Sequence, residues 1–304
     1  MKYTNIYSIL IIGDIMKLTL INAKTDLGVM VDGANLGPEI LSNYYKSDKR
    51  IDKIINLEKK NITKSHDSKD LAKNLDAINE FNTRLYNKIK QDNNFPITLG
   101  GDHSLAIGSA LASIKKEEKL GIIWIDSHGD YNTFETTRTG NIHGLPLAAL
   151  NHQTGNRLSL FHDGNYYLPE NTVIVGGRDI DPWEMPVIEK AGATVFSTRD
   201  IKEQGISTII KKAIDIASNN TKGIHISFDI DVIDPEIAKG VSVPAINGIT
   251  DEEAYQITDE VLKYKDKIKS WDLVEFNPLK DIDKKTEKVA VNILEKIINS
   301  IKEK

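Results

Sequence analysis

The sequence predicts an α/β protein with a mostly parallel central sheet carrying helices on both faces. Three observations lead there. Short apolar runs of strand length alternate with segments of helical spacing along the 304 residues. The runs are rich in β-branched residues and continuous, as strands buried on both faces are. Reactive residues collect just after the C-terminal ends of five of these runs, where ligands of open α/β sheets bind.

Taken in order, residues 6–12 are apolar behind Lys2, but Asp14 interrupts them and no small-residue cleavage site follows. Residues 1–15 are therefore expected to be an N-terminal extension, an added strand or loosely held tail, with Met16 as the working start. Residues 17–22 read as the first strand. Residues 69–91 place Leu71, Leu75, Ile78, Leu85 and Ile89 near helical spacing. A strand at 96–99 ends in two glycines, a helix covers 104–116, and 120–125 is the central strand. Between 133 and 156 the chain is rich in Gly, Thr and Asn, with a helix start near His143. Strand 172–175 again ends in glycines, and 184–191 and 206–218 read as helices. After strand 223–228, Thr250-Asp-Glu-Glu253 forms a capping box, a hydroxyl and a carboxylate set to satisfy the first free amides of a helix. Strand 270–274 and an amphipathic helix at 283–302, with Val289, Ile293 and Ile297 on one stripe, close the chain. No repeat or linker interrupts it, so residues 1–304 are expected to form a single domain.

The net charge of −5 argues against a nucleic-acid footprint, which needs a basic face. No stretch approaches the ~20 apolar residues of a membrane span. Cysteine is absent, so there are no disulfides and no thiolate ligands; a reducing compartment fits, and a cytoplasmic location is expected.

The chain is organised around Asp126-Ser-His-Gly-Asp130 at the end of the central strand. On an extended backbone, residues at every second position point to one side. Asp126, His128 and Asp130 would repel one another there unless a cation sat between them. Other strand ends add Asp102-His103, Arg178-Asp179-Ile-Asp181, Asp229, Asp231 and Asp234, and Glu275. His103, Asp126, His128, Asp130, Asp229 and Asp231 are the candidate ligands. Six side chains are too many for one tetrahedral zinc but suit two cations ~3.5–4 Å apart. Oxygen-rich ligation with two imidazoles and no sulfur favours manganese. The bland alternative is a set of surface caps and salt bridges.

Gly100-Gly-Asp-His-Ser104, Asp126-Ser-His-Gly-Asp130 and Ser227-Phe-Asp-Ile-Asp-Val-Ile-Asp-Pro235 resemble, in order, the three signature motifs of the ureohydrolases, the family of arginase, agmatinase and relatives. The resemblance runs from about residue 17 to the C-terminus. It implies a three-layer α/β/α fold and two Mn²⁺ ions. Asp126 and Asp229 would bridge them, His103 and Asp130 would complete one, and His128 and Asp231 the other. Asp102 and Asp234 would hold imidazoles and loops in place.

The match is closest to the arginases. Asn132 and Thr139-Gly-Asn-Ile-His-Gly144 resemble the loop that holds the substrate α-carboxylate, through Asn132, Thr139 and Asn141, and carries a proton-shuttling histidine, His143. By the same resemblance Asp181 would face the α-amino group and Glu275 would receive the guanidinium. The implied reaction is hydrolysis of L-arginine to L-ornithine and urea. The implied partners are a small guanidino substrate and copies of the same chain, as a trimer or hexamer, with no nucleic acid or membrane. Two features depart from the pattern. Thr139 stands where serine is common. Lys239-Gly-Val-Ser-Val-Pro-Ala245 differs in a loop that borders the site in the family and is similar to that of some formimidoylglutamases. Agmatine, guanidinobutyrate or formimidoylglutamate therefore stay open as substrates. A metal-bound scaffold and a single-zinc amide deacetylase are further alternatives, disfavoured by the full ligand set and by Asp130 and Asp231 respectively.

Other polar residues have plainer readings. His225 is expected to be a hydrogen-bonded core residue, and His66, His152 and His162 to face solvent. Arg178 and Asp179 are expected to form an ion pair, and Trp124 and Trp271 to lie in the core.

Overall fold

The computed structural model describes residues 16–65, 67, 69–159 and 164–302. The expectations for residues 1–15, His66 and His162 lie outside the described residues. The strands are β1 (Leu18–Lys24), β2 (Lys53–Glu58), β3 (Phe95–Gly100), β4 (Gly121–Ile125), β5 (Thr172–Gly177), β6 (Thr194–Ser197), β7 (Ile224–Asp229) and β8 (Ile268–Val274). They form one eight-stranded sheet in the order β2-β1-β3-β8-β7-β4-β5-β6, and every pair is parallel. Parallel neighbours require crossovers, and helices supply them. These are α1 (Gly37–Asn43), α2 (Leu75–Gln91), α3 (Ala106–Glu117), α4 (Pro146–Leu150), α5 (Met185–Ala191), α6 (Thr198–Gln204), α7 (Ile206–Ala217), α8 (Asp251–Leu262) and α9 (Lys285–Lys302).

The central strand shows why the sheet is covered twice. Along β4, Ile123 and Ile125 join one apolar cluster, with residues of α1, α7, α8 and α9. Ile122 and Trp124 join the other, with residues of α2, α3, α4 and α5. Successive side chains of a strand point to opposite faces, so a continuous apolar run needs a helical layer on each. The three-layer expectation holds. Trp124, Trp271 and His225 are fully buried as expected, with His225 Nδ1 2.7 Å from Ser270 Oγ. His152 is exposed. The capping box opens α8: the Glu253 amide donates to Thr250 Oγ1, and the Thr250 amide to Glu253 Oε2. On α9, Val289, Ile293 and Ile297 are buried, each worth about 1.5–3 kcal/mol of apolar burial.

Four elements went unforeseen: α1, β2, β6 and α6. Both unforeseen strands are sheet edges, where one side meets solvent and the apolar run is diluted. The helix expected from residue 69 begins at Leu75, because Asn74 adopts a left-handed conformation (φ 57°) and its side-chain amide donates to the Leu27 carbonyl.

β3, β8, β7, β4 and β5 are adjacent, and their C-terminal ends line up along one rim of the sheet. These are the strand ends that carry the candidate site.

Candidate active site

Each strand end delivers its side chain through a tight local structure. After β3, Gly101 passes so close to the next loop that a Cβ would lie 1.6 Å from the Thr25 carbonyl oxygen. This close approach lets the chain turn and present His103. Asp102 accepts from the amides of Ser104 and Gly28, tying that turn to the loop after β1. After β4, Asp126 Oδ1 accepts from the His128 amide, and Asp126 Oδ2 accepts from the Trp124 indole N–H at 2.9 Å. After β7, Asp229 Oδ1 accepts from the Asp231 amide, and Asp231 Oδ1 accepts from Ser127 Oγ. Asp130 (φ 49°) and Glu275 (φ 66°) are left-handed non-glycine residues, backbone strain of the kind held at functional sites.

The six candidate ligands converge. His103 Nδ1 lies 3.0 Å from Asp126 Oδ2, 3.1 Å from Asp229 Oδ2 and 3.2 Å from Asp130 Oδ2. His128 Nδ1 lies 3.1 Å from Asp231 Oδ2 and 3.4 Å from Asp126 Oδ1. Two groups able to hold an ion result: His103 with Asp126 and Asp229, and His128 with Asp126 and Asp231. Asp126 belongs to both. His103 also stacks on Trp124, ring centres 3.9 Å apart and planes 8° from parallel, and its Nε2 lies 2.8 Å from Ser227 Oγ.

The charges are strongly frustrated. Burial would raise Asp126, but the imidazoles of His103 and His128 close beside it hold it well below the usual carboxylate range. Burial, then the Asp126 charge, push Asp130 up to about 6. Burial and the charges of Asp231 and Asp126 lift Asp229 well above its ordinary value. Burial opposes protonation of His103 and His128, yet the carboxylates around them raise both. Carboxylates this close cannot all be ionised without a compensating cation. Nδ1 of His103 and Nε2 of His128 are buried without a hydrogen-bond partner, and the N/O donor set contains no thiolate. The residues fit two divalent ions.

A cavity of about 420 Å³ opens onto this cluster, and Asp130, Asn132, Thr139, Asn141, His143 and Asp181 all line it. Asn132 Nδ2 donates to Asp181 Oδ2 at 3.0 Å. Val243, from the loop at 239–245, also lines the cavity. Glu275 is buried next to His143, with Nδ1 to Oε1 3.4 Å. Its Oε1 accepts from the His103 amide at 2.9 Å, while Oε2 has no partner. Burial lowers the His143 pKa, but Glu275 overrides it and the net shift is upward. A larger cavity, about 840 Å³, lies at the opposite, N-terminal ends of β3 and β8, away from every candidate ligand.

One expectation is corrected. Arg178 does not pair with Asp179, whose side chain is 67 % exposed. Its guanidinium donates to the carbonyls of Asp231, Val232, Ala245 and Ile246. Four cavity residues escaped sequence reasoning, one of them Thr137, whose Oγ1 accepts from the Gly140 amide. Glu184 is buried, accepts from the Tyr131 and Asp181 amides, and is pushed up to about 8 chiefly by that burial. Arg138 and Trp183 stack on one another. The tract Asp181-Pro-Trp-Glu184 had offered a signal, being the continuation of a segment already singled out.

Comparison with known proteins agrees with the geometry. The arginase-family model matches residues 16–299. The arginase of Bacillus subtilis is 34% identical over 297 residues, covering 92% of this chain and 97% of that protein. The structure of Bacillus caldovelox arginase superposes with a TM-score of 0.86 at 32% identity, covering 93% of this chain and 98% of the other. That of Entamoeba histolytica arginase in complex with L-ornithine gives 0.85 at 30% identity, with the same 93% and 98% coverage.

Proposed function

Because the chain belongs to the arginase family, hydrolases acting on guanidino C–N bonds, we propose that it converts L-arginine to L-ornithine and urea using two Mn²⁺ ions. The carrying observation is the juxtaposition of a doubly shared, charge-frustrated Asp/His cluster with the unpartnered buried oxygen of Glu275.

His103, Asp126, His128, Asp130, Asp229 and Asp231 would hold the ions, Asp126 belonging to both groups. When bound, the ion pair supplies the Lewis acidity that makes water nucleophilic near neutral pH. Glu275 orients the guanidinium by charge-assisted hydrogen bonds through its free Oε2. His143, with a pKa raised by Glu275, delivers a proton to the departing amino nitrogen. Asn132, Thr139 and Asn141 hold the α-carboxylate and Asp181 the α-ammonium. The Asn132–Asp181 hydrogen bond supports that pairing, since one contact fixes both groups relative to each other. The chain, residues 1–304, would act as one domain, in the cytoplasm, as a trimer or hexamer. No helix among the described residues is long and apolar enough to cross a membrane.

Val243, from the divergent loop, keeps the substrate choice worth direct measurement. Urea release with added Mn²⁺ should be fastest from arginine, against agmatine and 4-guanidinobutyrate, with formimidoylglutamate followed by formamide release. Preference for any of the other three overturns the arginine reading; inactivity on all four overturns the hydrolase.

A further inference from the structure

The substrate cavity contains a pair of side chains that none of the roles above uses. Arg138 comes from the turn after β4, and Trp183 from the stretch between β5 and α5. Both line the cavity, and the Arg138 guanidinium carbon lies 3.5 Å from the centre of the Trp183 ring. That is well inside the ~6 Å range of a cation–π contact. Arg138 is exposed, so its stack stands at the solvent side of the cavity. The Trp183 indole N–H is buried and has no acceptor. Among the described residues, no carboxylate pairs with the Arg138 guanidinium. A guanidinium stacked on a ring keeps its in-plane N–H donors available.

The cavity therefore has a polarity. Asp130 lines it at the cluster, with Glu275 adjoining; Asp179, Asp181 and Glu184 line the side from which Trp183 comes; and Arg138 is the one Lys or Arg among its described lining residues. With the guanidinium at Glu275 and the α-ammonium at Asp181, the carboxylate of an amino-acid substrate is the group left for Arg138. A carboxylate there meets donors that are otherwise idle; a tail carrying only an ammonium meets like charge, which disfavours it.

We propose that Arg138, held by its stack on Trp183, is a specificity-determining residue that reads the carboxylate of an amino-acid substrate and discriminates against decarboxylated guanidines. The inference rests on the arginine-hydrolysing reading and deepens it.

The test is steady-state urea release by the Mn²⁺-loaded enzyme from arginine and agmatine, for wild type, Arg138→Gln, Arg138→Lys and Trp183→Leu. Arg138→Gln should raise the arginine KM about 10-fold, the scale of one lost charge-assisted contact, with kcat shifting less than about 3-fold. The arginine-to-agmatine ratio of kcat/KM should fall about 10-fold. Arg138→Lys should recover part of that ratio, because charge returns without the planar fork. Trp183→Leu should shift the ratio in the same direction as Arg138→Gln. An unchanged arginine KM in Arg138→Gln, or equal losses on both substrates, overturns the inference while leaving arginine hydrolysis standing. No urea from arginine with wild type overturns the underlying reading and this inference with it.

Discussion

Replacing Arg178 by leucine should loosen the rim that carries Asp231. The guanidinium donates from Nε to the Ile246 carbonyl (3.0 Å), from Nη1 to Val232 (2.9 Å), and from Nη2 to Asp231 (3.0 Å) and Ala245 (2.8 Å). Val232, Asp231 and Ala245 are 0 %, 3 % and 5 % exposed, whereas Ile246 is 73 % exposed. Water can replace the arginine only at the last. Two or three carbonyls would be left dry, at about 1–3 kcal/mol each, or about 2–9 kcal/mol together. For a chain of this length 1 kcal/mol moves the midpoint by about 2 °C. Calorimetry of the Mn²⁺-loaded variant should therefore show a Tm lower by about 4–18 °C. Arg178→Lys should fall nearly as far, because a three-donor ammonium cannot serve four fixed acceptors. A leucine variant melting within about 2 °C of wild type, or a lysine variant matching wild type, would refute the clamp.

Further outcomes are expected. His143→Asn should cut turnover by about 10²-fold with metal content retained; unchanged turnover removes it from proton transfer. Asp126→Asn should lower the bound Mn²⁺ measured by elemental analysis, since both groups share this carboxylate, and full occupancy would contradict bridging. Glu184 is held at about 8 against an ordinary 4.5, burial being the main cause. The folded protein thus binds the extra proton between those values, and stability falls as pH rises through that window, by about 1.4 kcal/mol per unit. Between pH 6 and 8 the Tm of Glu184→Gln should decline less than that of wild type; parallel declines would show that Glu184 does not carry this proton linkage.

Much of the molecule was legible because the strongest signals are local. Strands buried on both faces, such as β4, read as unbroken apolar runs, and the ligands follow directly at their ends, although Asp126, His128 and Asp130 lie beyond β4 in irregular chain rather than on an extended strand, Asp130 being left-handed. The edge strands β2 and β6 were not legible: their half-exposed residues resemble loop sequence, and what makes them strands is the neighbour they pair with. Asn74 ended a helical pattern early for a reason located 47 residues away, at the Leu27 carbonyl. Arg178 was misread because its sequence neighbour is an aspartate, whereas its partners lie 53 to 68 residues on. The Arg138–Trp183 stack is likewise a meeting of separate loops, written in the fold rather than in any motif.

Trp124 donates its indole proton to Asp126 and lies flat against His103. Its excited state is thereby wired to the charge of the cluster. Filling or emptying the centre must change the colour and yield of ultraviolet emission from this indole, so the molecule carries its own optical gauge of occupancy. Trp271, shut away in the core of the sheet, supplies a steady background, and replacing the cavity-lining Trp183 by leucine leaves that signal to be read alone against it.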